Sequence, residues 1–359
     1  MGLAAAPTPA LHAHTFAVLR HLTHEQFVSG EAIAQALGLS RATVWQATRQ
    51  LEALGLEIHK LRRQGYRLAR PYDALDSGAI VRALGTAAAQ YRVATIDACP
   101  STNTEILKLA DTGPGPGPGP DPGAGAAQAL ATELQTAGRG RRGRAWISGL
   151  NTSLTFSVLR QFDGGLAALS GLSLAVGLAM AQALEELGAQ GVLLKWPNDI
   201  LLKRADGYAK LGGILVELAG DALGPTRAVI GIGLNVRLPA GAREPPPSPA
   251  GLPASAAGLP IADLSDAGLT VARNRLLAAL LRHLHAVLEV FAREGFAALR
   301  GAWNARHAYQ GSEVLMINEG RVEKSGLVQG VDAGGALRLV TPRGIETVVS
   351  GELSLRPAL

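Results

Sequence analysis

Apolar positions change their spacing along this chain, and each change predicts a different kind of structure. Over residues 11–70 they recur at helical intervals in short runs. "SGEAIAQALG" offers Ser29 as an N-cap and Gly38 as a stop, and "LSRATVWQATRQLEALG" offers Ser40 and Gly55 in the same roles. In the second run Val44, Ala47, Leu51 and Leu54 form one apolar stripe, which leaves Arg41, Thr43, Gln46 and Gln50 on other faces. "LEIHKLRRQGYRL" then alternates apolar and basic residues, which predicts two short strands with residues 62–65 at the tip. Helix, tight turn, helix and strand pair make a winged helix-turn-helix pattern.

The middle of the chain mixes strand and helix patterns. "YRVATIDACPSTNTEILKLAD" predicts strand, loop and helix, with Ser101 or Thr102 at the helix start. "AQALATEL" and "TSLTFSVLR" predict strands on either side of "QTAGRGRRGRAW". A helix is expected around 167–188. "VLLKW", "ILL", "KLGGILVEL" and "RAVIGIGLNVRL" follow as strands, and a long helix over 271–294 presents Leu276, Leu277, Leu280, Leu281, Leu284 and Leu288. From about 308 short strands alternate with tight turns, which predicts a small barrel of about five strands. Residues 113–125 alternate glycine and proline, bury nothing, and are expected to be a surface insertion. The fold class is therefore α+β. The expected division is 1–70, 71–307 and 308–359.

Composition narrows the picture. With 359 residues and 47% hydrophobic content, two or three domains with sizeable cores are possible. The net charge of +5 is small, but it is clustered. Residues 41–70 hold seven basic residues against Glu52 and Glu57, and residues 135–146 hold four arginines with no acid. Two separate positive sites suggest two anionic partners. Cys99 is the only cysteine, so one chain can form neither a disulfide framework nor a cysteine zinc site; a reducing cytoplasm fits. The opening "MGLAAAPTPA" lacks the basic and long apolar regions of a signal peptide. Residues 164–184 carry no charge, a run longer than the roughly 18 residues a membrane span needs. Its glycines, serines and Gln182 point instead to a buried helix.

The arginine–glycine segment could be a nuclear-type basic patch or a loop that wraps an anion. Its place between two strands weakens the first reading. Gly138, Gly140 and Gly143 let the backbone curve, while Arg139, Arg141, Arg142 and Arg144 supply forked cationic donors suited to phosphate and carboxylate. The ending of a Walker A loop is missing. Trp146 either seats the loop end in the core or stacks on an aromatic ring. In "KWPNDI", Lys195 precedes a proline-fixed turn, and Asn198 and Asp199 could hold a ribose, a phosphate-bound Mg²⁺ or only the turn. Lys210 stands before Gly212-Gly213, where it could stabilise charge on a reacting carboxylate or phosphate. "GIGLNV" lacks the third glycine of a dinucleotide fingerprint. The eight histidines show no H-E-x-x-H spacing, so zinc-water hydrolysis has no support. Positioning and charge stabilisation around an anion remain, as adenylyl or phosphoryl transfer requires.

"STN", "QTAGRGRRGRAW", "KWPNDI", "KLGGILVE", "GIGLNV" and "GELSLR" occur in the order seen in biotin–protein ligases. The resemblance covers nearly the whole chain and extends to members that are also DNA-binding repressors of biotin synthesis. It implies a winged helix, a central mixed α/β ligase domain and a C-terminal SH3-like barrel. It also implies ATP-dependent formation of biotinyl-5′-AMP, with Mg²⁺ on the phosphates, and transfer of biotin to a lysine of a carboxylase carrier domain. By motif, Ser101, Thr102, Asn103, Gln135, Arg139, Gly140, Arg141 and Lys210 should bind biotin, with Lys210 and Arg141 catalytic. Arg142, Arg144, Trp146, Lys195, Asn198, Asp199, Asn235, Glu352 and Arg356 should serve ATP or the adenylate, and Asp199 the Mg²⁺. Arg41, Thr43, Gln46, Gln50, Arg62 and Arg63 should meet DNA. Homodimerisation is implied; a membrane is not. The sequence departs from the family at Ala145, where lysine is common, at Cys99-Pro100 before "STN", and at the Gly-Pro tract. Two rivals are a biotin-sensing regulator without ligase turnover and a lipoate-type acyl-protein ligase.

Overall fold

A computed structural model describes residues 11–111, 126–220, 224–239, 258–318, 321–349 and 354–357. The tracts 113–125 and 243–253 and the candidate Glu352 lie outside the described residues, as does the side chain of Arg356.

The N-terminal unit follows its caps. It comprises α1 (Thr15–Leu19), α2 (Gly30–Leu37), α3 (Arg41–Ala53), β1 (Ile58–Leu61) and β2 (Gly65–Leu68). Ser29 Oγ accepts the Ala32 N–H (3.0 Å) and Ser40 Oγ accepts the Thr43 N–H (3.0 Å), satisfying helix-end donors that otherwise lack partners. Gly38, at φ 64°, closes α2 in the left-handed region. β1 and β2 pair antiparallel with Arg62 and Arg63 exposed at the turn, as the alternation predicts. Arg41 and Gln46 are exposed on α3. Thr43 is half-buried, with its hydroxyl 2.8 Å from that of Ser40.

Gln50 is a correction. It is buried, and its amide oxygen accepts the His12 N–H (2.9 Å) and the Thr15 hydroxyl. The inner face of α3 is wider than its apolar stripe, because one polar side chain on it ties down the segment leading into α1. The exposed face instead carries Trp45, 52% exposed, with the Arg49 guanidinium 5.9 Å from its ring.

The central region comprises α4 (Ser77–Leu84), β3 (Tyr91–Cys99), α5 (Thr102–Asp111), β4 (Ala127–Gln135), β5 (Ser153–Phe162), α6 (Leu172–Glu186), β6 (Val192–Lys195), β7 (Asp199–Arg204), β8 (Gly207–Gly220), β9 (Thr226–Asn235), α7 (Arg273–Glu294) and α8 (Arg300–Asn304). Seven strands form one sheet in the order β3-β4-β5-β9-β8-β7-β6, with only β3 and β4 parallel. Strand alternation gives the sheet two faces. Leu154, Phe156 and Val158 of β5 and Ala228, Ile230, Ile232 and Leu234 of β9 face the core that holds α6 and α7. Leu159 and Val229 pack with Ile106 of α5 on the other face. The span Leu166–Glu186 is long and apolar enough to cross a membrane, but 61% of it is buried in the protein. α6 is thus the buried helix expected.

A buried cation fastens the N-terminal unit's connecting segment to this sheet. Arg273, at the start of α7, donates to Glu133 Oε2 (2.6 Å) and to the Asp73 carbonyl (2.9 Å). Leu134 and Leu150, which flank the arginine loop, pack into the core of the winged helix.

Among the described residues five C-terminal strands follow: β10 (Glu313–Asn318), β11 (Arg321–Val331), β12 (Leu337–Thr341), β13 (Gly344–Val348) and β14 (Ser354–Pro357), antiparallel in the order β13-β12-β11-β10-β14. This matches the expected count. The Trp196 indole N–H donates to the Gly335 carbonyl (3.0 Å), and Leu194 of β6 pairs through its backbone with Arg306 and Ala308 (2.8 Å each). These contacts lock the strands against the central sheet.

Candidate active site

The α5 face of the central sheet is hollowed by small residues. Across β5, β9 and β8 its pairs read Ser157–Gly231–Leu215 and Thr155–Gly233–Gly213. A Cβ at Gly231 would stand 3.0 Å from Asn103 Cγ, and one at Gly233 would stand 2.5 Å from Trp146 Cζ2. The glycines of "GIGLNV" are therefore clearance for two site residues, which explains why the motif fails as a dinucleotide fingerprint.

Several segments converge on the hollow. Ser101, Thr102 and Asn103 enter from the end of β3 and the start of α5, and Gln135 ends the neighbouring β4. Gln135 Oε1 accepts the Thr102 N–H (2.8 Å). The arginine segment folds over as a hairpin. The Gly140 N–H donates to the Arg144 carbonyl (2.7 Å) and the Trp146 N–H to the Gly138 carbonyl (2.9 Å), while Gly143 and Arg142 take positive φ of 68° and 63°. Arg139, Gly140, Arg141, Arg142, Arg144 and Trp146 all line the cavity. The Arg141 guanidinium reaches Asn198 Oδ1 (3.3 Å), and Arg142 reaches Asn318 Oδ1 of β10 (2.7 Å). From the opposite wall come Lys195, Asn198, Asp199 and Lys210, and the C-terminal strands contribute Leu355.

The electrostatics are strongly one-sided. Asp199 is the one carboxylate lining the cavity among the described residues, and six cations line it. Lys195 is only 4% exposed and sits 3.5 Å from Asp199, whose other oxygen is 2.6 Å from Lys210 Nζ. Burial, together with repulsion from Arg142 and Arg144, pulls the Arg141 guanidinium below its ordinary value, while Asp199 opposes the shift. An arriving anion would relieve this repulsion. The cavity measures about 160 Å³. Small-molecule sites usually span about 300–1,000 Å³.

Asn235 stands apart from these residues. It does not line the cavity. It is buried behind Lys210, and its amide donates to the Lys210 carbonyl (3.4 Å) and the Ala262 carbonyl (3.0 Å). It holds the strand that bears Lys210. Two contributors were missed. Ser157 of β5 and Glu217 of β8 hydrogen-bond to Asn103 (2.6 Å each). The signal for Ser157 was present: Ser153, Thr155 and Ser157 alternate with Leu154, Phe156 and Val158, a polar period of two in a buried strand.

Three family models match parts of the chain. Residues 126–235 match the biotin/lipoate A/B protein ligase family, residues 14–67 a helix-turn-helix domain, and residues 310–356 the biotin protein ligase C-terminal domain. The chain is 33% identical to the bifunctional ligase/repressor BirA of Escherichia coli, over 94% of this chain and 95% of that protein. It is 36% identical to a biotin–[acetyl-CoA-carboxylase] ligase of Paracoccus denitrificans, over 70% of this chain and 96% of that one. A solved biotin protein ligase from Aquifex aeolicus, in complex with biotin and ATP, aligns with a TM-score of 0.56 at 28% identity, covering 74% of this chain and 99% of that one.

Proposed function

This chain belongs to the biotin protein ligase family, and from that premise we propose how its cavity carries out the reaction. It is an ATP-dependent biotin ligase with a helix-turn-helix domain, of the bifunctional ligase/repressor type. In the first step a carboxylate oxygen of biotin attacks the α-phosphorus of ATP. A C–O–P linkage forms, the Pα–O bond to the β-phosphate breaks, and pyrophosphate leaves with the electron pair. In the second step a neutral lysine amine of the carrier domain attacks the acyl carbon; an amide forms, AMP leaves, and the nitrogen loses a proton.

The observation that carries this reading is the convergence of six cations on a glycine-hollowed cavity with a single carboxylate among the described residues. A carboxylate and a triphosphate repel each other, so cationic donors must hold both before they can react. Lys210 and Arg141 are assigned to the reacting carboxylate and α-phosphate oxygens. Ser101, Thr102, Asn103, Gln135, Arg139 and Gly140 are assigned to biotin. Arg142, Arg144, Trp146, Lys195, Asn198, Asp199 and Asn235 are assigned to the nucleotide, with Glu352 and, from β14, Arg356. ATP enters as its Mg²⁺ complex. Among the described lining residues Asp199 is the carboxylate that would meet that ion, and Lys210 and Lys195 flank it, so it also orients Lys210.

The winged helix is assigned to operator DNA through Arg41, Thr43, Gln46, Arg62 and Arg63. The division 1–70, 71–307 and 308–359, the cytoplasm as workplace, and a homodimer complete the proposal. β8 supports the dimer. β7 pairs with it only as far as Gly213, so from Val216 onward it pairs with β9 alone and leaves an open sheet edge with Leu218 exposed. The test is incubation of the full chain with ATP, biotin and a carrier domain. Biotin on a carrier lysine, with pyrophosphate released, is expected. Adenylate synthesis untouched by Arg141→Ala, in a loop equally protease-sensitive with and without both substrates, would sink the assignment.

A further inference from the structure

We propose that Glu217 and Ser157 are positioning residues that set the hydrogen-bond polarity of the cavity end receiving biotin's ring. The proposal rests on the ligase reading above. It follows from counting protons along four side chains.

Asn103 Nδ2 lies 2.6 Å from Glu217 Oε2 and 3.3 Å from the Leu215 carbonyl. Both partners can only accept, so the atom facing them must be the N–H₂ group. Asn103 Oδ1 is thereby turned toward Ser157 Oγ, 2.6 Å away. Ser157 is fully buried and has one hydroxyl proton. A carbonyl oxygen brings none, so Ser157 donates its proton to Asn103. The Thr102 hydroxyl stands 2.7 Å from Ser157 Oγ. Ser157 Oγ shares its proton between Asn103 Oδ1 and Thr102 Oγ1 as a three-centre donor, so Thr102 accepts from it and its own hydroxyl proton goes elsewhere. That proton goes to Gln135 Oε1, 3.2 Å away, which also accepts the Thr102 N–H (2.8 Å).

The direction of the chain is fixed at one end, by a carboxylate outside the cavity lining. The consequence appears at the other end. Thr102 Oγ1 presents only lone pairs to a ligand, and Gln135 has only its N–H₂ group left to offer. A cyclic urea needs this pairing, because it brings two N–H donors and one carbonyl acceptor. Arg139 of the ligand loop also reaches Glu217 (3.5 Å) and Thr104 Oγ1 (3.0 Å), so the anchor is shared with a loop arginine. Without the carboxylate, the Asn103 amide can turn over and the two hydroxyls can point either way.

The experiment uses the full chain, the isosteric variant Glu217→Gln, Ser157→Ala and the double variant. The ligands are biotin, ATP and 2-iminobiotin, whose ring carries C=N–H in place of the carbonyl. Loss of one hydrogen bond to a charged group corresponds to a Kd for biotin raised about tenfold or more in Glu217→Gln. The KM for ATP is expected to stay within about twofold, and the preference for biotin over 2-iminobiotin to narrow. Ser157→Ala should cost less in the Glu217→Gln background than in the wild type, because the relay is already unanchored. Thermal melts check folding, and if Ser157→Ala melts early the Glu217→Gln arm decides alone. An unchanged biotin Kd and preference in folded Glu217→Gln overturns the proposal, as does equal loss for biotin, 2-iminobiotin and ATP. Failure of the wild type to bind biotin overturns the ligase reading itself, and this proposal with it.

Discussion

Replacing Gly231 by alanine tests whether the hollow in the sheet is the ligand site. Gly231 lies in the extended strand β9, a conformation alanine accepts, so the backbone alone gives no penalty. Restricting the unfolded chain stabilises such variants by about 0.4–1 kcal/mol. The side chain meets Asn103. The new Cβ would stand 3.0 Å from Cγ and 3.1 Å from Nδ2, and closer still to Oδ1. Favourable carbon contacts begin near ~3.5 Å, so the whole amide must withdraw. Bonds of 2.6 Å to Ser157 and 2.6 Å to Glu217 hold it in place. Giving up one bond to a charged group costs about 1.5–3 kcal/mol. The expected net loss of folding stability is then only about 1–2 kcal/mol, measurable by urea unfolding. Biotin affinity, measured by titration calorimetry, is expected to fall about tenfold or more, since each tenfold is about 1.4 kcal/mol. A variant that binds biotin as the wild type does would show that Asn103 and the glycine face do not form the biotin site.

Three further outcomes are expected. Lys210→Met should keep its fold, because the side chain is one-third exposed, yet lose about 10²–10³ in the rate of pyrophosphate release; a loss below about tenfold would remove Lys210 from the chemistry. Arg62→Ala with Arg63→Ala should flatten the slope of log DNA affinity against log salt by about 2 and leave adenylate synthesis intact; an unchanged slope would move the phosphate contacts away from the wing. Burial holds the His307 imidazole at about 4 against 6.5 when exposed, so between those values the unfolded chain binds the extra proton and stability rises with pH. Up to about 3 kcal/mol is lost on acidifying through that window, and His307→Gln should remove this component from unfolding curves taken between pH 6.5 and 4.

Local chemistry was legible in the sequence wherever one residue decides one geometric event. Ser29, Ser40 and Gly38 cap helices as read, and the wing turns at its arginines, because capping and turn formation involve only a few neighbouring atoms. The cationic wall was legible for a related reason. Arginines alternating with glycines between two strands have few structural roles other than closing on an anion. Gln50 was misread, and the burial of Asn235 was hidden, because each looks like an exposed donor in one dimension, while its partner lies far along the chain. The Gln50 amide meets Thr15, and that of Asn235 meets Ala262. Glu217 was invisible for the converse reason: it ends an apolar run, where a strand is expected to meet solvent. Its role depends on a register that sets Ser157 opposite Gly231 and Gly231 opposite Leu215. Shifting β9 by one residue would turn Gly231 and Gly233 into the helical core and bring Ile230 and Ile232 into the hollow, closing the site with no change in composition. The site therefore depends as much on strand register as on its arginines.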